Sequence, residues 1–560
     1  MAYIVKRKIN DRDYYYLQKS KREKDKVKSV FLGYLGKTRR IAEARKKEIL
    51  KELMNKKSMK NMEDEKKEKV ELEKKEITIE ELTNFCKSKG FVFKSSEIYG
   101  GLAGFWDFGP LGVELFNNIK KEFWNWFVQR KENVIGIEAS IISHPKTWQA
   151  SGHIKNFNDV AVICKKCKDT TKIDKSEIGR VNCEKCHGEF DVQGEFSLMF
   201  KTQVGSINPI EAYLRGETAQ GMFMDFKLAQ QTSRMQLPFG ICQIGKCFRN
   251  EIAPRDFLFR SREFSIGEIE FFINPEDFSC PLLEERHLKL KVMLLDKETQ
   301  DAGSQELNET TIGKMLEEKR LEEWHAYWLA EQILWFYSIG LKELKIREHR
   351  KDELSHYSSA TFDIDYEYPF GSREIAGIAN RGQYDLTQHQ IESKESMEVF
   401  DEKSGKKVLP KVIEPTFGIE RVFLATLVKA YNYDKKRENI VLRLPAKLAP
   451  VKAAVFPIIK KPEFEEIAEN LVKDLKKEFN INYDRSGSIG RRYARNDEIG
   501  TPYCVTIDED SLKNEDVTVR LRDTTEQVRI KVVNLKEAIR WGIEGGDIKK
   551  FGKIVDTRKK

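Results

Sequence analysis

Two cysteine pairs near the middle of the chain constrain its folding more than any other feature. Cys164 and Cys167 are separated by two residues, and after an interval of fifteen residues Cys183 and Cys186 repeat the same spacing. Four thiolates in two such knuckles suit one tetrahedral Zn²⁺, and a site with all four positions filled by protein is structural rather than catalytic. The sequence therefore predicts a small zinc-binding insertion over about residues 160–195.

Two other interpretations of these cysteines stay open. Cys186 is followed by His187, and the resulting CxxCH string is typical of covalent haem attachment, although the upstream pair has no part in such a site. Four free structural cysteines are the second alternative. The remaining cysteines have no metal-ligand spacing and are expected to be buried small side chains. They are Cys86, Cys242, Cys247, Cys280 and Cys504.

Charge is distributed unevenly along the 560 residues. Residues 1–60 contain 20 Lys and Arg against 7 Asp and Glu, a net charge of +13, whereas the other 500 residues contain 79 against 83, a net charge of −4. A basic segment on a near-neutral body suits a polyanionic partner, either nucleic acid or an anionic membrane surface. A solvated charged tail is the alternative. The chain has no apolar signal core and no run of about 18 apolar residues, so we expect a cytoplasmic protein with no membrane partner.

Patterning along the chain predicts four regions. Strand-like runs indicate a small basic β unit over residues 1–40, followed by a charged helical linker over 41–76. Mixed strand and helix patterns over 77–445 favour an α+β domain with an antiparallel sheet and a helical insertion at about 281–345. Renewed alternation of strands and helices over 446–560 predicts a small α/β domain.

A long helix is predicted over about residues 113–131. Four apolar side chains recur there at helical spacing, so one face of the helix is expected to be buried. Core packing is the expected reason for this burial, and a dimer interface is the alternative. The four residues are Phe116, Ile119, Phe123 and Phe127.

Two short arrangements of charged and aromatic residues predict phosphate and nucleotide recognition. Arg249 and Glu251 alternate in a strand-like run, so both side chains point to one face, where an arginine can bind a phosphate and a carboxylate can accept from an amine. Phe264 offers a flat surface for a base. An exposed hairpin with charged edges is the alternative. Farther on, Glu414–Arg421 leads into an expected helix start, which favours an anion, although an ordinary helix start explains that stretch alone.

Together these strings resemble the motifs of class II aminoacyl-tRNA synthetases and, within that class, of dimeric glycyl-tRNA synthetases. The run from Phe248 resembles motif 2, and Glu414–Arg421 resembles motif 3. The resemblance covers about residues 77–541 in one order, and the last strings resemble a class IIa anticodon-binding domain. The further strings that carry it are Tyr99-Gly-Gly-Leu-Ala103, Trp106-Asp-Phe-Gly-Pro-Leu-Gly112, Pro145-Lys-Thr-Trp-Gln-Ala-Ser-Gly-His153, Leu198-Met-Phe-Lys-Thr202, Glu217-Thr-Ala-Gln-Gly221, Glu353-Leu-Ser-His-Tyr357, Gly377-Ile-Ala-Asn-Arg381, Ser486-Gly-Ser-Ile-Gly-Arg-Arg-Tyr493 and Asp497-Glu-Ile-Gly-Thr-Pro502.

The resemblance implies an enzyme that activates glycine with ATP and transfers it to the 3′ end of tRNA(Gly), working as a homodimer. It implies that Arg249 holds the α-phosphate and the reacting carboxylate, that Glu251 reads the adenine amine, and that Phe264 stacks on the ring. Arg421 would bind the outer phosphates and, like Arg249, act in catalysis. The complete implied set for ATP is Arg249, Asn250, Glu251, Leu258, Phe259, Arg260, Phe264, Glu374, Ile375, Gly418 and Arg421.

Glycine recognition and the metals follow from the same resemblance. Glu217 and Glu414 would take the ammonium group, Arg381 would lie near the carboxylate, and a small closed pocket would reject larger amino acids by clash. Glu374 would bind ATP through Mg²⁺. The four paired cysteines would hold a structural Zn²⁺. The complete implied set for glycine is Glu217, Glu268, Arg381, Glu414, Thr416 and Lys172.

The chain departs from the family pattern at several positions, which bear on the rate and on the tightness of the glycine pocket. Only the change to Gln383 removes a charge. The departures are Gly216 for the usual Pro, Thr416 for Ser, Ser372 for Trp, Gly382 and Gln383 for Thr and Asp, and Lys172 for Arg.

The sequence also allows two functions other than that of an enzyme. Class II folds also serve as non-catalytic binding modules, including a polymerase accessory subunit, but such paralogues usually lose the motif arginines that this chain keeps as Arg249, Arg260 and Arg421. The basic segment also allows a protein that binds DNA or a membrane surface.

Overall fold

The computed structural model describes residues 2–9, 12–23, 26–36, 38, 39, 45, 77–173, 178–355 and 357–555. The chain divides into two compact units, residues 1–75 and 76–560. The first unit contains an antiparallel sheet whose strands lie in chain order, and they coincide with the strand-like runs of the sequence. The strands are Ala2–Ile9, Arg12–Glu23 and Lys26–Gly36. Apart from Arg45, the predicted linker at 41–76 lies outside the described residues.

A nine-stranded sheet forms the centre of the second unit. Six of its eight pairings are antiparallel, in agreement with the sheet that the sequence predicts, and two pairings near the edges are parallel. In spatial order the strands are Asn308–Thr311, Lys291–Leu295, Leu344–Glu348, Ala360–Tyr368, Gly371–Gly382, Lys411–Gly418, Glu263–Ile273, Phe239–Phe248 and Val134–Gly136.

The region 281–345, which the sequence pattern predicts to be mostly helical, contains strands as well as helices. Its strands Lys291–Leu295 and Asn308–Thr311 extend one edge of the central sheet. A short apolar run such as that from Val292 has no period that separates a strand from a helix, so the sequence pattern does not reveal these two strands. The helices of the region are Glu285–Leu288, Lys297–Asp301, Ile312–Glu317 and Glu323–Ser338.

The predicted long helix runs over Pro110–Trp124 and continues as a π-helical turn over Asn125–Gln129. Its four apolar residues are all buried, which confirms core packing. The ring of Phe123 lies 5.0 Å from that of Phe417 on the central sheet, in an edge-on arrangement. Complete burial of one such phenylalanine stabilises a fold by about 1.5–3 kcal/mol, so this face fixes the helix against the sheet.

Smaller elements surround the sheet. The predicted insertion contains a three-stranded sheet in the order Phe190–Ser197, Asn158–Cys164 and Thr170–Ile173. A second small sheet has the order Phe200–Val204, Ile210–Leu214 and Ile142–Ser143. The remaining two-stranded pairs are Val92–Lys94 with Trp106–Phe108, Val399–Asp401 with Lys406–Val408, and Tyr433–Asp434 with Asn439–Ile440.

The other helices of this part are Ile79–Lys89, Pro145–Ala150, His153–Asn156, Ala219–Ser233, Tyr384–Ser393 and Ile419–Ala430. Across the described residues, every helix is too short or too polar to cross a membrane.

The C-terminal part is built on a mixed sheet of six strands. The order is Ile481–Tyr483, Ala453–Pro457, Tyr503–Ile507, Asp516–Leu521, Gln527–Lys531 and Gly552–Val555. Its helices are Pro462–Leu475, Ile489–Glu498, Glu509–Asn514 and Val532–Ile543. The predicted alternation of strands and helices is therefore confirmed here, and this part has its own apolar core.

Candidate active site

A cavity of about 210 Å³ opens where the central hairpin, formed by Phe239–Phe248 and Glu263–Ile273, meets the strand Lys411–Gly418. Nine of the eleven residues that the resemblance assigns to ATP line it, while Asn250 and Ile375 are sequence neighbours of lining residues. The lining consists of Lys172, Arg249, Glu251, Leu258, Phe259, Arg260, Ser261, Phe264, Ser265, Ile266, Glu374, Thr416, Gly418, Glu420 and Arg421.

Arg249 is held between two aromatic rings inside this cavity. Its guanidinium carbon lies 5.2 Å from the ring centre of Phe157 and 5.4 Å from that of Phe264. Its Nε donates to the carbonyl oxygen of Gly216 at 3.2 Å. The side chain is thereby oriented through its faces and Nε, and the terminal nitrogens are left to meet an anion.

Glu251 lies at a basic corner of the cavity. The Nζ of Lys172 is 3.8 Å from its carboxylate and 2.6 Å from that of Asp159, and the Nε of Arg260 is 3.8 Å from Glu251. The resemblance assigns Lys172 to glycine, whereas in the structure Lys172 lies near Glu251, the carboxylate that is assigned to adenine.

Arg421 and Glu374 form an ion pair at the rim. The Nη1 of Arg421 lies 2.9 Å from the Oε2 of Glu374, and its guanidinium carbon lies 4.4 Å from the ring centre of Phe259. Because both side chains stay partly exposed, they are accessible to a ligand that enters the cavity.

Five buried carboxyl groups gather next to the cavity, and we call them the acid cluster. The two regions share strands, because Thr416, which lines the cavity, pairs with Glu268 of the cluster in the sheet register. All five side chains are at least nine-tenths buried. The acid cluster consists of Glu217, Glu268, Glu270, Glu414 and Asp385.

Arg381 is the buried counter-charge of the acid cluster. Its Nε and Nη2 donate to the two oxygens of Asp385 at 2.7 and 2.8 Å, and its Nη1 donates to Glu414 at 2.8 Å. The ring of Tyr357 lies 3.8 Å from its guanidinium carbon. These hydrogen bonds fix the positions of Asp385 and Glu414. Only one positive charge, that of Arg381, is set among the five carboxyl groups by these contacts.

Glu217 and Glu268 are fixed by separate contacts. The Nε2 of His153 lies 3.2 Å from the Oε2 of Glu217, whose other oxygen accepts from Gln220 at 2.9 Å. The carboxylate of Glu268 accepts from the backbone N–H of Thr218 at 2.8 Å and also from its hydroxyl.

Burial controls the protonation of the acid cluster. It raises the pKa of Glu414 to about 8, and the neighbouring carboxylates reinforce this effect. Burial also raises the pKa of Glu268 and that of Glu270, whose two oxygens have no hydrogen-bond partner among the described residues. Although burial disfavours the charge of Glu217, the adjacent His153 holds the pKa of that group well below its usual range. The cluster can therefore accept a cation by releasing protons.

The sequence predicts most of the residues that line the cavity, but only part of the acid cluster and of the side chains that contact it. Glu270 could have been found, because it follows Glu268 by two residues in a strand and so points to the same face. The other missed residues do carry local signals, because three lie in strings that carry the family resemblance and the fourth follows Arg381 by four residues, but only the fold shows what each one contacts. They are His153, Gln220, Tyr357 and Asp385.

The four paired cysteines converge on one point. Their sulfur atoms all lie within 4.8 Å of one another, with 3.4 Å between the sulfurs of Cys164 and Cys186 and 3.6 Å between those of Cys167 and Cys183. Sulfur atoms around tetrahedral Zn²⁺ are separated by about 3.8 Å when each Zn–S bond is about 2.3 Å long. The donor set and its spacing thus fit a closed zinc site.

The departures from the family pattern lie mostly around the site. A Cβ at Gly216 would come 3.2 Å from the ring of Phe157, which supports Arg249. Gln383 precedes the helix Tyr384–Ser393 and donates to the carbonyl of Leu409 at 2.7 Å instead of capping the helix. The change at Gln383 therefore alters the start of the helix that carries Asp385 of the acid cluster, and a lost helix cap costs about 0.5–2 kcal/mol.

Comparisons with known proteins agree with this geometry. Residues 452–541 match the family described as "Anticodon binding domain". The chain is 41% identical over 476 residues to the glycine–tRNA ligase of Borrelia hermsii, a match that covers 83% of this chain and 97% of the relative. It is 43% identical to that of Caldanaerobacter subterraneus subsp. tengcongensis, over 81% of this chain and 96% of the relative. The ligase of Treponema denticola is 39% identical, over 84% and 99%.

Proposed function

The chain belongs to the glycine–tRNA ligase family, and from this premise we propose that the cavity and the acid cluster are the two halves of one glycine-activating site. Ligases of this family join glycine to tRNA, and the anticodon-binding match fits that activity. One observation carries the proposal: Arg249 in the cavity donates to the carbonyl of Gly216, the residue that directly precedes Glu217 of the acid cluster. The reacting groups of ATP and glycine would meet at this junction.

The acid cluster suits the ammonium group of glycine. Glu217, Glu268 and Glu414 surround a cation with carboxylates in a site from which water is largely excluded, so each contact is stronger than in water. Thr416 lies between the cluster and the cavity, where a side chain larger than hydrogen would meet the strand. Rejection by clash therefore accounts for selection of glycine over alanine and serine.

Adenylate formation requires positioning and charge neutralisation more than a protein nucleophile. The glycine carboxylate attacks the α-phosphorus of ATP, and pyrophosphate leaves. Arg249 would contact the α-phosphate and the attacking carboxylate, and so neutralise charge that develops between them. Arg260 and Arg421 would hold the outer phosphates, while Phe264 and Glu251 would hold the adenine.

In the second step, the 3′-terminal hydroxyl of tRNA attacks the adenylate carbonyl, and AMP leaves. The bound ammonium keeps the glycyl group oriented while the nucleotide end of the tRNA enters.

Two metals belong to the proposal. Glu374 would help to hold Mg²⁺, which would supply positive charge to neutralise the phosphates of ATP. Zn²⁺ would be held by Cys164, Cys167, Cys183 and Cys186 and would stabilise the insertion that carries Lys172. Four thiolates reserved for a metal suit a reducing compartment, so we place the enzyme in the cytoplasm.

We further propose the division of labour along the chain that the sequence predicts. Residues 77–445 would be the catalytic domain and 446–560 the anticodon-binding domain. Assembly as a homodimer is supported by the resemblance of the strings around Tyr99 to dimeric synthetases. Ile98 and Tyr99 are neighbours and are 87% and 86% exposed, so their apolar surface is open to a partner. Light scattering after size exclusion tests the dimer, and a monomer at micromolar concentration would contradict it.

The direct test of the function is ATP–pyrophosphate exchange with single amino acids. Glycine should support exchange, and alanine and serine should support less than about 1% of its rate, as expected when an added group meets a closed wall. Efficient exchange with serine would contradict the glycine pocket. Absence of exchange with every amino acid would favour a non-catalytic binding module.

A further inference from the structure

The segment Pro145–Phe157 lies between the acid cluster and Arg249, and the proposed reaction gives it no task. Within it, His153 is only 6% exposed. Its ring centre lies 5.1 Å from that of Trp148 and 5.3 Å from that of Phe157. Burial among aromatic rings alone would describe an ordinary core side chain, so the polar contacts of the imidazole decide its role.

Both ring nitrogens of His153 face polar groups. Nδ1 lies 2.8 Å from the hydroxyl oxygen of Ser151, which is itself 1% exposed, and Nε2 lies 3.2 Å from the Oε2 of Glu217. A carboxylate accepts hydrogen bonds, so Nε2 of His153 must carry a hydrogen whether the imidazole is neutral or protonated. In the neutral ring, Ser151 donates to Nδ1 and fixes the required tautomer.

The contact with His153 fixes the orientation of Glu217. One oxygen of this carboxylate lies 3.2 Å from Nε2 of His153, and the other accepts from Gln220 at 2.9 Å. Four residues after His153, the ring of Phe157 lies under the guanidinium of Arg249. The same short segment thus touches the carboxylate that would receive the ammonium and the arginine that would receive the phosphate.

We propose that His153 is a positioning residue for glycine, which turns the Glu217 carboxylate toward the ammonium group, while Phe157 seats Arg249 from the same segment. This inference rests on the proposed placement of the ammonium at Glu217. It gives a role to the string Pro145–His153, which carries the family resemblance but contains none of the assigned site residues.

Two variants at one position test the role of His153. His153→Leu removes the donor, whereas His153→Gln keeps an N–H group near the place of Nε2. In pyrophosphate exchange, His153→Leu should raise the KM for glycine about 10- to 100-fold, the effect of losing a hydrogen bond to a charged group. The KM for ATP should stay within about twofold, and His153→Gln should recover most of the glycine affinity.

Three outcomes would overturn the inference. They are an unchanged KM for glycine in His153→Leu, an equal rise in both KM values in both variants, and no recovery with Gln. If His153→Leu does not fold, Ser151→Ala carries the test, because it keeps the imidazole but removes the hydroxyl. It should raise the KM for glycine about 3- to 10-fold with the KM for ATP unchanged, and no rise would be decisive against the role.

Glu217→Gln separates this inference from the proposed function. An unchanged KM for glycine in Glu217→Gln would show that the ammonium does not bind there, so the proposed glycine site itself would be wrong. A raised KM in Glu217→Gln together with an unaffected His153→Leu would remove only the positioning role.

Discussion

Glycine should bind more weakly as the pH falls below 8, because Glu414 must lose a proton to receive the ammonium group as a carboxylate. Burial raises the pKa of Glu414 to about 8 in the protein without substrate. Charged Glu217 and the other nearby carboxyls disfavour a second negative charge until a cation arrives. The experiment therefore varies the pH. The variant Glu414→Gln shows whether Glu414 causes the change in glycine binding.

The magnitude follows from the ionised fraction of Glu414. A group with a pKa of about 8 is about one-half ionised at pH 8, about one-tenth at pH 7 and about one-hundredth at pH 6. If only the ionised form receives the ammonium, the KM for glycine should rise about 50-fold between pH 8 and pH 6. In Glu414→Gln the KM for glycine should be high at pH 8 and should depend less steeply on pH, because glutamine has no proton to lose and Glu268 remains as an ammonium-binding carboxyl with a raised pKa.

The assay is pyrophosphate exchange at saturating ATP from pH 6 to pH 8, with the KM for ATP over the same range as the control. A wild-type KM for glycine that is flat with pH would refute the reasoning, as would an equally steep slope in Glu414→Gln. Stability provides a second check. The raised pKa of Glu414 contributes stability that is fully present below the usual glutamate pKa of 4.5 and is lost as the pH rises through about 8. The melting temperature without glycine should decline over that window, and Glu414→Gln should flatten the decline.

Three other results are expected. Arg249→Ala should slow adenylate formation about 10²-fold or more through loss of a charge-assisted contact to the transition state, while circular dichroism stays native; a near wild-type rate would remove Arg249 from the mechanism. Metal analysis should find one zinc per chain, and Cys164→Ser with Cys183→Ser should lose it and melt earlier; a native protein without zinc would contradict the site. Deletion of residues 1–76 should leave pyrophosphate exchange unchanged, raise the KM for tRNA and flatten the dependence of log tRNA affinity on log salt, because the +13 segment would no longer meet phosphates. If the full-length and truncated proteins show equal slopes of log affinity against log salt, the segment is a screened tail or has another partner, such as DNA or anionic vesicles.

Residues of the cavity were predictable because their spacing is local. The predicted strand position of Arg249 and Glu251 is wrong, because the strand Phe239–Phe248 ends just before them. They still lie close in sequence to that strand, and Phe264 lies on the next strand of the same hairpin, so the hairpin brings all three to one place. The two cysteine pairs follow the same logic, since each knuckle is encoded within four residues.

The supports of the acid cluster were not predictable in this way. Gln220 bonds to Asp385 across 165 positions of sequence, and His153, in the helix His153–Asn156, lies 3.2 Å from Glu217, which just precedes the helix Ala219–Ser233. Such contacts depend on how the helices are placed on the central sheet, and no spacing in the sequence encodes that placement. The edge strand Lys291–Leu295 was missed for a different reason, because a five-residue apolar run fits a strand and a helix equally well.

The central claim is that glycine is activated with its ammonium in the acid cluster and its carboxylate at Arg249. A crystal structure of the protein with a non-hydrolysable glycyl-adenylate, such as glycyl-sulfamoyl adenosine, tests this most directly. We expect the ammonium group of the analogue to lie among Glu217, Glu268 and Glu414, and its adenine to stack on Phe264. An analogue bound with its ammonium outside the acid cluster, or with its adenine away from Phe264, would contradict the claim.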